Sequence, residues 1–124
     1  MKDIIVTNHA PKPIGPYSQA VRANGFLFAA QIALDPHTNK FLEGDVVQQT
    51  ERVLENLRAI LTHAGVSLSQ VVKTTVFLKD MNDVAAMNEV YARYFPSAAP
   101  ARSTIQVSGL PKGALVEIEL VAVL

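Results

Sequence analysis

The residues with the clearest chemical potential lie near the end of the chain. Glu117 and Glu119 sit inside its most apolar run, "LVEIELVAVL". Carboxylates are almost never fully buried unless they are paired. Either these two face water, or a cation waits for at least one of them. Arg102, in the proline-preceded run "PARSTIQV", is the candidate. An arginine held this way can grip an anionic ligand bidentately, and Glu117 can then accept a proton or orient a water. Glu119, on the same strand face, takes a supporting or interface role. Two bland readings stay open on spacing alone: an Arg102–Glu117 ion pair tying adjacent strands, or two separately solvated charges.

Other residues carry weaker signals. Tyr17 follows "PIGP", so a stiff loop fixes its ring, either as a plug over a hairpin or as the wall of a pocket. Asn88 falls among helix positions where core contacts are expected, as a satisfied helix-face amide or a pocket group. His9, His37 and His63 are scattered without metal-ligand spacing, and His63 suits a helix C-terminus. No metal site is therefore expected. "SGLPKG" lacks both the spacing of a phosphate-binding loop and a following helix. No Ser-His pair is identifiable as nucleophile and base.

The pattern of apolar residues indicates which elements must position these groups. "DIIVT" (3–7) is β-branched and is followed by the proline-rich loop "NHAPKPIGPY". "YSQAVR" and "FLFAAQIAL" read as a hairpin turning at Asn24-Gly25. From Asp45 the period becomes helical. Val46, Val53, Leu57, Ile60, Leu61 and Ala64 form one stripe, with Asp45 as N-cap, Gln48 three residues on, and Gly65 just past the end. "VVKTTVFLKD" (71–80) reads as a central strand. "NDVAAMNEVYARYFP" is a second helix with Val84, Met87, Tyr91 and Tyr94 or Phe95 inward. "RSTIQV" and "LVEIELVAV" close the chain as strands.

The order β-β-β-α-β-α-β-β contains strand–helix–strand twice. This predicts two crossover units with both helices on one face of a six-stranded sheet. On the last strand, Val116, Ile118, Leu120 and Ala122 make one face; Leu115, Glu117, Glu119, Val121 and Val123 make the other. Both faces are largely apolar while only one has helices to cover it, so a homo-oligomer is expected, with the glutamates at or near its interface.

Composition narrows the class further. The chain has 124 residues, 49% apolar and 18% charged, which suits one globular domain spanning 1–124. Eleven basic residues balance eleven acidic ones, and no basic block supplies the footprint of a nucleic-acid binder. The absence of cysteine excludes disulfides, thiolate nucleophiles and zinc-thiolate sites. No apolar signal region or membrane-length run is present, so a cytoplasmic protein without membrane partners is expected. Tryptophan is absent too, leaving a core of aliphatic residues with Phe and Tyr.

The segments "APKPIGPYSQAV", "VVKTTVFLKDMNDVAAMNEVYARYF", "PARSTIQV" and "LPKGALVEIELVAV", in this order, closely resemble the RidA (YjgF/YER057c) family of enamine/imine deaminases, from about residue 4 to the C-terminus. The resemblance implies an α+β, chorismate-mutase-like fold with a six-stranded mixed sheet, assembled as a homotrimer with an intersubunit site. It implies hydrolysis of small 2-imino acids, 2-iminobutanoate and 2-iminopropanoate, to 2-keto acids and ammonia without a cofactor. Arg102 matches the arginine that grips the substrate carboxylate, and Glu117 the acid that orients or activates water. Tyr17 and Asn88 match pocket-lining positions. Thr104 matches a position often held by cysteine, where backbone groups are used. Members usually carry Ser-Gly-Gln where this chain has Ala29-Ala30-Gln31, and one residue fewer separates Tyr17 from Gln31 here. Ala30 thus adds a methyl group where substrate approaches, and the shortening must be absorbed by a turn or a lost bulge. A non-enzymatic trimer that binds small carboxylates or shields unfolded proteins is the alternative, and ribonuclease activity a third reading that the charge balance disfavours.

Overall fold

A computed structural model describes residues 1–124. Its strands are β1 (Lys2–Ile5), β2 (Ala20–Ala23), β3 (Phe26–Gln31), β4 (Val71–Leu78), β5 (Ala101–Gln106) and β6 (Val116–Val123). The helices are α1 (Val46–His63) and α2 (Val84–Tyr94). One sheet contains all six strands in the order β1-β2-β3-β6-β4-β5. Only β4 and β5 pair in parallel; every other neighbouring pair is antiparallel.

The expected element order therefore holds, with one topological addition. The unit β4–α2–β5 joins neighbouring strands, whereas β3–α1–β4 crosses over a gap that the final strand fills. β6 is thus a central strand with a ladder on each side, facing β3 from Phe26↔Val123 to Gln31↔Ile118 and β4 from Val71↔Ala122 to Leu78↔Val116. The one register irregularity lies between Val71 and Lys73.

Local chemistry accounts for the boundaries. Asn24 and Gly25 turn β2 into β3 with positive φ angles of 54° and 84°, as a two-residue hairpin requires. The Asp45 side chain accepts from the Gln48 backbone N–H while the Gln48 side chain accepts from the Asp45 N–H, completing the capping box that opens α1. The second helix starts later than its apolar period suggests, because Met81–Asp83 form a separate 3-10 turn held by the Asp80 carboxylate on Asn82 N–H.

The core lies between the helices and one face of the sheet. Val53, Leu57, Ile60 and Leu61 of α1 and Met87 and Tyr91 of α2 are buried against Leu27, Val76, Ile118 and Leu120. Leu54 and Val90 join them although they fall outside the narrow stripes read from the sequence; a helix facing both a sheet and another helix buries a wider arc. Both helices cover the same face. The other face leaves Phe26, Phe28, Ile105 and Val123 more than a third exposed.

Buried amides fix the loops beside the sheet. Asn56 of α1 donates from Nδ2 to the carbonyls of Ile32 and Leu34 (3.4 and 2.8 Å) and accepts from Arg52 Nε. The Ile32 carbonyl also accepts from Leu34 N–H, so Asn56→Leu leaves the Leu34 carbonyl without its donor and is expected to cost about 1–3 kcal/mol, read as a lowered urea midpoint at unchanged slope.

Candidate functional site

Glu117 lies at the centre of the sheet, opposite Phe77 of β4. Its neighbours in sequence, Val116 and Ile118, are completely buried against the helices, so alternation turns Glu117 to the uncovered face. There it forms part of a cleft of about 540 Å³ together with Tyr17, Ala30, Gln31 and Pro111. The proline-rich loop forms the opposite wall through Pro11, Ile14 and Pro16.

That loop is held by hydrogen bonds as well as by prolines. Gln19, which is buried, accepts from Thr7 N–H and donates to the carbonyls of Thr7, Ala10 and Pro11. Asn39, at a φ of 62°, accepts from Lys12 N–H and donates to Lys12 O. The Tyr17 ring folds back over its own loop, where its hydroxyl accepts from Ile14 N–H at 3.1 Å and its backbone N–H donates to Gly15 O. The hydroxyl retains a proton to donate. Sequence reasoning singled out Tyr17 but passed over Gln19 two residues later; an amide between a stiff loop and a strand is the signal that identifies such an anchor.

Burial is the main reason the Glu117 carboxyl is pushed above its ordinary value of 4.5, and the neighbouring Glu119 carboxylate adds to the effect. No cation compensates it. The chain's two ion pairs, Arg58–Glu55 and Arg93–Glu51, lie on the helices.

Arg102 stands elsewhere. It is on β5, opposite Thr74 of β4, and the Thr74 hydroxyl hydrogen-bonds the Tyr91 hydroxyl of α2 at 2.7 Å. Arg102 therefore lies on the helix-covered side of the sheet, with its guanidinium 4.7 Å from the centre of the Tyr91 ring. Thr104 shares that side, opposite the buried Val76. Tyr91, one turn from Asn88, is the platform beneath the arginine that sequence reasoning had assigned only to the core.

These positions correct two of the sequence-based readings. An ion pair tying adjacent strands is excluded, because β4 separates β5 from β6 and the two side chains project from opposite faces. Within one chain they are two strand spacings, roughly 10 Å, and three residues, roughly another 10 Å, apart. Asn88 is not a core amide: it is exposed on α2, whose buried residues are Met87, Val90 and Tyr91. The structure brings Tyr17, Ala30 and Glu117 together and leaves Arg102 and Thr104 on β5 and Asn88 on α2 outside that cleft.

Ala30 pairs with Glu119 and lies on the uncovered face. The tight hairpin and the unbroken β3–β6 register absorb the short spacing from Tyr17 without turning Ala30 inward.

The family model described as endoribonuclease L-PSP matches residues 7–124. A RutC family protein of Pyrococcus horikoshii is 58% identical over 123 residues, covering 98% of each chain. The 2-iminobutanoate/2-iminopropanoate deaminase of Mus musculus is 45% identical over 99% of this chain and 92% of its own. Among solved structures, E. coli TdcF with bound serine superposes with a TM-score of 0.92 at 42% identity, covering 98% of both chains.

The raised position of Glu117 makes a signed prediction. Between 4.5 and its raised value the folded chain binds more protons than the unfolded one, so stability falls as pH rises through that window. Glu117→Gln should melt with wild type below 4.5 and above it at neutral pH, with a gap that opens as pH rises.

Proposed function

We propose that this chain, which belongs to the endoribonuclease L-PSP (YjgF/RidA) family, is a hydrolytic deaminase of small 2-imino acids. The observation that carries the reading is the half-buried, unpaired Glu117 carboxyl in a preformed cleft. The mouse relative's name as an imine deaminase supports the reaction class. The serine bound to E. coli TdcF supports a small amino-acid-like ligand.

The chemistry makes modest demands. The carbon of an imine protonated on nitrogen is already electrophilic, so it needs a positioned water rather than a strong nucleophile. Glu117 takes a proton from that water as its oxygen bonds to the imine carbon. The proton then goes to the amine nitrogen of the tetrahedral carbinolamine. As the C–N bond breaks, the carbinolamine hydroxyl gives its proton to the now ionised Glu117, and ammonia and the 2-keto acid are released. A base with a raised pKa suits this exchange near neutral pH. Arg102 grips the substrate carboxylate, and Tyr17, Ala30, Asn88 and Thr104 line the pocket. No cofactor takes part.

Arg102 and Glu117 of one chain cannot reach the same three- or four-carbon molecule. The site is therefore composite: the Arg102 edge of one copy closes over the Glu117 cleft of the next, in a homotrimer whose head-to-tail contacts close into a ring. The same arrangement covers the exposed aromatic residues of the open face. The protein works in the cytoplasm, without nucleic acid or membrane partners.

Keto-acid release from 2-iminopropanoate, generated in place by an amino-acid oxidase with semicarbazide as competitor, tests the reading. Wild type should accelerate release. Arg102→Ala should lose at least about a hundredfold in kcat/KM, since a charge-assisted bidentate anchor is removed, while its melting temperature and oligomer size are kept. Undiminished activity in Arg102→Ala refutes the mechanism. Binding of 2-ketobutanoate by wild type without turnover assigns the chain to non-enzymatic carboxylate binding.

A further inference from the structure

The open face carries few charges. Among the paired strand residues that point to it, Lys2 sits at the β1 corner, and Lys73, Glu117 and Glu119 lie toward the middle. Glu117 belongs to the cleft. Lys73 and Glu119 instead share a separate hollow of about 300 Å³, framed by Val21, Phe28 and Val121.

The two are diagonal neighbours. Lys73 faces Val121 and Thr75 faces Glu119 on the adjoining strands. They do not pair with each other. Lys73 Nζ reaches the opposite way, donating to Ser103 Oγ on β5 at 3.0 Å. Glu119 is exposed and has no cation within ion-pair distance in its own chain. An amine leaning toward the β5 edge and a free carboxylate on the far side make the face electrically self-complementary. Head-to-tail copies would each present one Lys73 toward one Glu119. Covering this face with a second copy without pairing these charges is strongly unfavourable, whereas like charges meeting there reject a wrong register.

We propose that Lys73 of each copy forms an ion pair with Glu119 of the next, and that this ring of pairs sets the register in which the open faces associate. The inference rests on the oligomeric reading above and names the polar contacts that specify it. Neither residue touches the proposed substrate; the pair acts on assembly, aligning the Arg102 edge with the Glu117 cleft.

Light scattering on size-exclusion peaks over a dilution series tests this with purified full-length protein, circular dichroism confirming that each variant is folded. Lys73→Glu and Glu119→Lys should each raise the dissociation midpoint by roughly a hundredfold or more. The double exchange Lys73→Glu/Glu119→Lys should recover most of the loss. Mixing the two folded single variants should recover association in part, because a ring of three built from both kinds has two matched contacts and one like-charged contact. Recovery in the double exchange with no gain at all on mixing would place the pair inside one chain and overturn the proposal. Single variants that assemble like wild type would overturn it as well. A monomeric wild type would instead refute the oligomeric reading on which it stands, a result separate from either of these.

Discussion

Inserting the last strand between β3 and β4 is the constraint on which the rest of the molecule depends. A strand with a ladder on each side cannot shift register by one residue without exchanging its two faces. In β6 that exchange would drive Glu117 and Glu119 under the helices and expel Val116, Ile118, Leu120 and Ala122, all of which are nearly or completely buried. Apolar burial of these side chains, of order 1.5–3 kcal/mol for each large one, therefore also fixes where the carboxylates stand. The position of the candidate acid follows from the packing of its neighbours.

The cleft over Glu117 is rigid for reasons that are mostly polar. Three prolines stiffen the loop between β1 and β2, but prolines alone do not determine where a loop lies. Gln19 and Asn39 do so by bonding the loop's own backbone groups, while Asn56 fixes the neighbouring segment at Leu34. Holding this wall in place keeps water partly away from Glu117, which is why its carboxyl holds a proton more tightly than usual. Preorganisation and pKa tuning share one origin in the loop's hydrogen bonds.

Arginine and glutamate serve the sheet in different ways. Glu117 occupies a central strand, where alternation dictates its direction. Arg102 occupies an edge strand on the helix side, where its guanidinium lies 4.7 Å from the centre of the Tyr91 ring. That contact leaves the charge unneutralised, as the proposed carboxylate anchor requires. On the proposed reading the two parts are each incomplete in one chain, and the exposed aromatics of the open face give copies an apolar reason to meet.

Much of this was legible in the sequence because it follows from local periodicity. The capped α1, the Asn24-Gly25 hairpin, the six strands and the glutamates on the uncovered face of β6 all depend on spacings of two or 3.6 residues and on turn chemistry. Family motifs added candidate site residues that spacing alone could not rank. Other features were decided only by long-range pairing. The sequence places Arg102 and Glu117 fifteen positions apart, close enough to suggest neighbouring strands, yet β4 lies between them and their side chains face opposite ways. Asn88 shares a helix with core residues but falls outside their buried arc, and Tyr91 gains a second role because β5 brings an arginine over its ring. Local patterns set which side of its own element a residue occupies; strand order, which is fixed by packing across the whole chain, decides what that side confronts.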